Sequence, residues 1–158
     1  MKITLLVIGK LKEDYWRQAE AEYLKRLSAF VKLEIIELKE ESFTEKDNPE
    51  TIKTKEAKKL EEQLAKIKPD YLVAMNSTGK QFSSIKLSEQ FNNVTIQQCN
   101  NVVFIIGGPL GLDKTILDHV NLILSLSNLT FTHQMARIIL EEQIYRAFMI
   151  KENRKYHY

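Results

Sequence analysis

Residues 102–112 read VVFIIGGPLGL, and this stretch decides the fold class of the chain. Val102–Ile106 is a continuous apolar run rich in β-branched side chains, which is typical of a strand buried on both faces. Three of the chain's five glycines, Gly107, Gly108 and Gly111, follow this strand directly. Glycine permits positive φ and close approach of a ligand to the backbone. Open α/β sheets bind ligands at such carboxyl ends of strands, although a tight turn without a ligand explains the glycines equally well.

The segments on either side of this stretch alternate between strand patterns and helix patterns. Apolar runs predict four more strands, at Ile3–Ile8, Val31–Leu38, Tyr71–Met75 and Leu122–Leu126. Polar residues 77–80 (STGK) predict a turn, and helical spacing predicts helices at Lys12–Phe30, Glu50–Lys68, from Ser83 or Ser84 to about Asn93, at Lys114–Leu117 and at His133–Ile150. This alternation indicates an α/β fold with a mostly parallel sheet and helices on both faces. We expect a single domain over residues 1–158.

Composition excludes several classes of protein. With 44% hydrophobic and 28% charged residues, the chain has the balance of an ordinary globular protein. No apolar run approaches the ~20 residues of a membrane span, and Ile3–Ile8 is too short for a signal peptide, so we expect a cytoplasmic protein without membrane contacts. Cys99 has no cysteine partner, and His119, His133 and His157 lack the spacing of metal ligands, so we expect no metal site.

The glycine turn differs from the common nucleotide-binding motifs. It lacks the G-x-x-x-x-G-K-S/T pattern of a P-loop, and its spacing and position differ from those of the dinucleotide fingerprint. No nucleophile with a paired base is evident either. The sequence therefore disfavours hydrolytic and covalent chemistry, and it mildly favours a reaction in which positioning of the reactants does most of the work.

The second candidate ligand-binding segment is LSLSNLTFTHQMAR, residues 124–137. Its first part is rich in hydroxyl and amide groups and carries no fixed charge. Such a surface suits a neutral adenosine better than a triphosphate. Thr130 or Thr132 is also expected to cap the last helix, because threonine is a favoured residue at a helix N-terminus.

The last predicted helix carries basic residues that are candidates for contact with a nucleic acid. At about 100° per residue, His133, Arg137 and Glu141 share one face, whereas Arg146 points to the opposite side. Two arginines so placed cannot easily grip one group from a single chain, so a site that used both would take one from a partner chain. Surface arginines without any site role are the common alternative. The net charge of +2 is too small to indicate nucleic-acid binding by itself.

Three stretches together resemble the RlmH family, the ribosomal large-subunit pseudouridine N3-methyltransferases of the SPOUT superfamily. They are VFIIGGPLGL (residues 103–112), LSLSNLTFTHQMARIILEEQIYRAFMI (residues 124–150) and the closing YHY (residues 156–158), and the resemblance extends over essentially the whole chain. It implies an α/β fold with a C-terminal trefoil knot and a homodimer with its active site at the interface. It also implies S-adenosyl-L-methionine (SAM) as methyl donor and a pseudouridine of 23S rRNA in the assembled ribosome as acceptor.

The resemblance further implies which residues form the site. The adenosine pocket would comprise Met75, Gly107, Gly108, Leu126, Ser127, Asn128, Leu129, Thr130, Phe131 and Thr132. The residues that face the RNA or the reacting base would be His133, Arg137, Arg146, Tyr156 and His157. Three positions depart from the family pattern: Asn76 replaces an acidic residue, Thr132 replaces proline, and Tyr158 replaces arginine or lysine.

The chemistry that the resemblance implies leaves one role open. The imide nitrogen of the pseudouridine must lose its proton, and His133 is one candidate to accept it, directly or through water. Release to solvent, with an arginine stabilising the developing anion, is the other. Two different functions also stay open at this point, namely a tRNA methyltransferase of the same fold and a ribosome- or RNA-binding module without activity.

Overall fold

The computed structural model describes residues 1–96 and 99–156. Five strands and five helices follow one another along the chain in the order β1 (Lys2–Ile8), α1 (Asp14–Leu27), β2 (Lys32–Leu38), α2 (Pro49–Ile67), β3 (Tyr71–Lys80), α3 (Ser84–Ile96), β4 (Asn101–Ile106), α4 (Lys114–Leu117), β5 (Leu122–Leu124) and α5 (His133–Lys151). The strands form one sheet in the order β2-β1-β4-β3-β5, and every neighbouring pair is parallel. No helix within the described residues has the length and apolar character to cross a membrane.

Helices cover both faces of this sheet because successive strand side chains point to opposite sides. Along β1, Ile3, Leu5 and Val7 belong to a core shared with α1, α3 and α5, whereas Leu6 and Ile8 belong to a second core shared with α2 and α4. The predicted α/β class, with helices on both faces, is therefore confirmed. The trefoil knot stays a prediction of the resemblance.

Strand β3 is the clearest departure from the sequence prediction. The expected turn at residues 77–80 is instead the continuation of β3, which runs on to Lys80. Both Met75 and Lys80 pair with Leu124, so the strand is irregular between them. A Cβ on Gly79 would stand 2.6 Å from the carbonyl oxygen of Ile123, so this close passage of two backbones requires glycine. The polar composition that predicted a turn reflects this irregularity.

Candidate functional site

The two segments singled out from the sequence meet at the carboxyl edge of the sheet. Met75 of β3 pairs with Ile106 of β4 on one side and with Leu124 of β5 on the other. The glycine turn starts directly after Ile106, and the hydroxyl-rich loop starts directly after Leu124. Because neighbouring strands lie about 5 Å apart, the two segments leave the sheet about 10 Å from each other, with β3 between them.

The glycine turn is tightly packed against itself and the sheet. Gly108 and Gly111 form an isolated antiparallel bridge, and the Gly111 N–H donates to the Gly108 carbonyl oxygen over 3.0 Å. A Cβ on Gly107 would stand 2.8 Å from the carbonyl carbon of Gly111, and Gly111 has a φ of +82°. Packing requires glycine at Gly107 and the positive φ favours it at Gly111, which supports the tight-turn explanation without excluding a ligand.

Gly108 rests on a buried carboxyl group that sequence reasoning did not single out. A Cβ on Gly108 would stand 3.1 Å from both Ile8 Cγ2 and Oε2 of Glu56, which lies on α2. Glu56 is buried, and burial raises the pKa of its carboxyl. Its Oε1 accepts a hydrogen bond from the Glu41 N–H over 3.0 Å. The floor of the turn thus joins the end of β1, α2 and the segment after β2.

The first part of the hydroxyl-rich loop is anchored to the end of β3, and the part that follows is exposed. The Ser125 N–H donates to the Lys80 carbonyl oxygen over 3.0 Å, and Gln81 Nε2 donates to Asn128 Oδ1 over 2.6 Å. The Ser127 hydroxyl accepts from the Leu129 N–H over 3.0 Å. Residues 128–130 are exposed, and the Leu129 side chain is 71% exposed. The loop therefore presents neutral polar groups and one large apolar side chain at the edge of the sheet.

Asn76 and Thr132, which depart from the family pattern near this loop, each accept hydrogen bonds from residues close in sequence. The Asn76 side-chain oxygen accepts hydrogen bonds from the N–H and the hydroxyl of Thr78, at 3.0 and 2.9 Å. Thr132 is the N-cap of α5, and its hydroxyl accepts from the Met135 N–H over 3.3 Å. The predicted capping role of Thr132 is confirmed, and a threonine there replaces the rigidity of proline with a capping hydrogen bond.

His133 is the first residue of α5 and lies against the end of β1. Its Nε2 is buried without a hydrogen-bond partner in the described structure, and a Cβ on Gly9 would stand 3.1 Å from it. Burial lowers the pKa of the His133 imidazole below its ordinary value, although Glu40 partly opposes this shift. The ring is therefore neutral near pH 7, which is the form that accepts a proton.

Gly9 is a residue of the candidate site that the sequence analysis missed. Its φ of +94° favours glycine, and it leaves room for the His133 ring. The available signal was a glycine directly after the first buried strand, the same arrangement that singled out Gly107. The neighbouring segment is joined to α5, because the Lys12 N–H donates to Gln134 Oε1 over 2.6 Å.

Arg137 lies in a different environment from the one implied by the resemblance. Its guanidinium is only 4% exposed, and it does not present a free face to RNA in this chain. Nη2 lies 2.5 Å from Glu20 Oε1, Nη1 lies 2.8 Å from Glu37 Oε1, and Nε lies 3.7 Å from Glu141 Oε1. Three carboxyl groups occupy the surroundings of the guanidinium, and the contact with RNA that the resemblance implies stays a prediction.

Glu141 is the most deeply buried member of this cluster. Its side chain is 0% exposed, and burial together with the neighbouring Glu20 raises its pKa to about 9, against the opposing effect of Arg137. Glu141 therefore holds a proton at neutral pH. The predicted common face of His133, Arg137 and Glu141 does exist, but its members differ in their surroundings: His133 lies against Gly9 after the end of β1, whereas Arg137 and Glu141 are buried among carboxyl groups.

Arg146 and Tyr156 form a separate group near the other end of α5. Arg146 Nη2 lies 2.5 Å from Glu142 Oε1, and the guanidinium lies 4.9 Å from the centroid of the Tyr156 ring. The Tyr156 hydroxyl donates to the same Glu142 oxygen over 3.3 Å, and burial followed by the charge of Glu142 raises its pKa to about 12. His157 lies outside the described residues. At 1.5 Å per residue, Arg146 is about 20 Å along the helix from His133, so one chain does not bring them together.

Comparison with known proteins identifies the family of the chain. Residues 1–157 match the family model described as "Predicted SPOUT methyltransferase". The chain belongs to the SPOUT methyltransferase family. This confirms the family resemblance drawn from the sequence at the level of the family that includes RlmH. The glycine turn and the hydroxyl-rich loop are therefore parts of a methyltransferase.

A solved structure supports the fold of this SPOUT methyltransferase independently. The chain is similar to a probable methylase family protein from Haemophilus influenzae Rd KW20, with a TM-score of 0.57 and 12% sequence identity. The match covers 99% of this chain and 70% of that chain. At this identity the likeness establishes a shared fold and leaves the substrate open.

The sequence analysis also did not identify the carboxylate partners of Arg137 in this SPOUT methyltransferase. Glu20 lies four residues after Trp16 and three before Tyr23, so it occupies the apolar stripe of α1. Glu37 interrupts the apolar run of β2. A charged residue on an apolar face is a signal of a buried partner, because isolated buried charges are too costly to retain.

Proposed function

We propose that this SPOUT methyltransferase transfers a methyl group from SAM to N3 of a pseudouridine in 23S rRNA of the assembled ribosome. The observation that carries the proposal is the convergence of the glycine turn and the neutral loop on either side of Met75. Family membership supports methyl transfer, and the resemblance to RlmH supports this acceptor. The cytoplasm, where ribosomes are found, is the proposed location.

The residues at the carboxyl edge fit the adenosyl part of SAM. The loop offers hydroxyl, amide and backbone groups without a fixed charge, and the exposed Leu129 side chain offers an apolar surface for a base. We assign binding of SAM to Met75, Gly107, Gly108 and residues 126–132. When bound, SAM supplies an electrophilic methyl group on a sulfonium that is already a good leaving group.

The chain's own contribution is to position the acceptor and manage its proton. Correct alignment of reacting groups lowers a barrier by several kcal/mol. The neutral imidazole of His133 stands at the same edge of the sheet with an unpartnered Nε2, so we propose it as the acceptor of the imide proton, directly or through water. Release of the proton to solvent is the alternative that a His133 variant tests.

We further propose that the complete site needs a homodimer. Arg146 is about 20 Å from His133 along α5 of the same chain, and Tyr156 packs against Arg146, so a second chain would bring its Arg146 and Tyr156 to this edge. The resemblance implies the same arrangement, together with the C-terminal trefoil knot. Arg146 is well suited to the task because its guanidinium is already oriented by Glu142 and by the Tyr156 ring.

Methylation of two RNA pools tests the acceptor. Purified ribosomes that lack the modification and total tRNA are each incubated with enzyme and SAM, and nucleosides are then analysed by mass spectrometry. We expect N3-methylpseudouridine from ribosomes only. A methylated nucleoside from tRNA would establish the tRNA methyltransferase instead. Absence of SAM binding by calorimetry, together with ribosome association, would establish a binding module without activity.

Subunit mixing tests the shared site. His133→Gln and Arg146→Met homodimers are each expected to be inactive, and co-refolded mixtures contain heterodimers in which one of the two sites has neither substitution. If each site combines His133 of one chain with Arg146 of the other, about a quarter of wild-type activity returns. If both residues act within one chain, each chain of a heterodimer carries one substitution in its own site. Mixing then restores no activity.

A further inference from the structure

The buried cluster of Arg137 with Glu20, Glu37 and Glu141 has no part in the mechanism above. It joins three elements, because Glu20 lies on α1, Glu37 lies on β2 and the other two lie on α5. Within the described residues, Arg137 Nε and both Glu141 oxygens lack hydrogen bonds of good geometry. Arg137 and Glu141 are therefore buried and only partly satisfied, whereas the Glu20 and Glu37 side chains are 15% and 31% exposed.

Such a cluster is a poor way to stabilise a fold. Removing charged groups from water costs several kcal/mol per ion, and well-packed apolar residues in place of a buried ion pair are often as stable or more so. The neutral carboxyl of Glu141 adds to this cost, because both of its oxygens are buried without a hydrogen bond in the described structure. The cluster therefore requires an explanation other than stability, and its location offers one.

The cluster lies next to the proposed site. Arg137 follows His133 by one helical turn, or about 6 Å along the axis. Its partner Glu37 pairs in register with Val7, two residues before Gly9. The ion pair between Arg137 and Glu37 thus holds α5 to the sheet directly beside the contact between His133 and Gly9.

The placement of His133 depends on this attachment. In the described structure its Nε2 makes no hydrogen bond that would orient the ring. The loop before it is held separately, through Lys80 and Gln81. What keeps the imidazole against Gly9 is therefore the placement of the first turns of α5, which are held by the ion pairs of Arg137 and by the hydrogen bond from the Lys12 N–H to Gln134.

We propose that Arg137, held by Glu37 and Glu20, is a positioning residue that fixes the first turns of α5 and thereby places His133 at the carboxyl edge of the sheet. The role rests on the proposed function of His133 and differs from the direct RNA contact that the resemblance implies for Arg137. On this proposal, the acidic cluster serves to position His133 and not to stabilise the fold.

Titration of His133 by NMR tests the placement without any substrate. The variant is Glu37→Met, which removes both the charge and the acceptor for Arg137, and Glu37→Gln, which keeps an acceptor, is the conservative partner. Glu40, Lys12 and Arg137 are the charged groups that face the imidazole. Loss of the negative charge alone would lower the pKa of His133 in both variants. Release of the ring from its buried position would instead raise it toward 6.5, the ordinary value.

We expect the His133 pKa to rise in Glu37→Met and to stay at or below the wild-type value in Glu37→Gln. Ser88→Ala is the matched control, because it removes a buried hydrogen bond of 2.8 Å to the Ala147 carbonyl oxygen at the far end of α5. It should lower stability and leave the titration of His133 unchanged. Equal pKa changes in both Glu37 variants, or a downward shift in Glu37→Met, would overturn the positioning role. Glu20→Met repeats the test if Glu37→Met does not fold.

Single-turnover methylation gives the second readout. We expect the rate with Glu37→Met to fall about 10- to 100-fold through misplacement of the reacting groups, while the Kd for SAM keeps its wild-type value because the loop is anchored elsewhere. Glu37→Gln should restore most of the rate. If the wild-type protein methylates no RNA, the proposed function fails, and the NMR titration still decides whether Arg137 and its partners position His133.

Discussion

Replacement of Glu141 by glutamine should change how the stability of the protein depends on pH. Glu141 is completely buried, and its pKa in the folded chain is raised from 4.5 to about 9. Below pH 4.5 the carboxyl is neutral in both folded and unfolded chains and has no effect. As the pH rises toward 9, only the unfolded chain releases the proton, so the free energy of unfolding falls.

The size of this effect follows from the pKa difference. One pKa unit corresponds to a tenfold change in the population of protonated carboxyl, so the wild-type protein should lose about 3 kcal/mol of stability between pH 6 and pH 8 through Glu141 alone. Glutamine has nearly the same shape and an amide that can donate toward Glu20, and it does not titrate. Since folded domains are stable by about 5–15 kcal/mol, a loss of this size is readily measured.

Urea denaturation of Glu141→Gln and wild type at several pH values is the assay. Trp16 is the only tryptophan of the chain, so its fluorescence reports the transition, and one protein concentration is used throughout because assembly shifts apparent stability. The stability difference between variant and wild type should grow by about 3 kcal/mol in favour of the variant from pH 6 to pH 8. Glu89→Gln, which removes an exposed partner of Lys86, is the control and should run parallel to wild type. Parallel curves for Glu141→Gln would refute the reasoning, because they would show that Glu141 is not a buried neutral acid.

Three further predictions concern the carboxyl edge of the sheet. Leu129→Asp should weaken SAM binding about tenfold in calorimetry through lost apolar contact, whereas Ile85→Asp, at a side chain that is also exposed, should not; equal effects would remove Leu129 from the site. Gly111→Ala should cost about 1–2 kcal/mol in thermal or urea unfolding from its positive φ alone, and Gly9→Ala should cost more because its Cβ also meets the imidazole; equal costs would contradict that contact. The single-turnover rate should rise with pH through the lowered pKa of His133 and level off below the ordinary histidine value, and His133→Gln should abolish this dependence; an undiminished rate in that variant would leave proton release to solvent.

Local sequence patterns were sufficient to predict the helices and strands whose signals lie within one continuous stretch of the chain. The apolar run before Gly107 and the alternation around it predicted the parallel sheet and its two helical layers. The glycine turn and the hydroxyl-rich loop, the two candidate ligand-binding segments, lie at one edge because parallel strands end on the same side. The prediction failed at residues 77–80, where the demand for glycine comes from Ile123 of another strand and not from a turn.

The sequence by itself determined the fold class, the family and the edge of the sheet where the site is proposed, since each depends on residues close together along the chain. Only the tertiary structure decided what surrounds each side chain. Helical spacing placed His133 and Arg137 on one face of α5, but it contained nothing about the elements that this face meets. Glu20 and Glu37 lie at least 100 residues earlier in the chain, so the burial of Arg137 among carboxyl groups is a property of how distant segments pack.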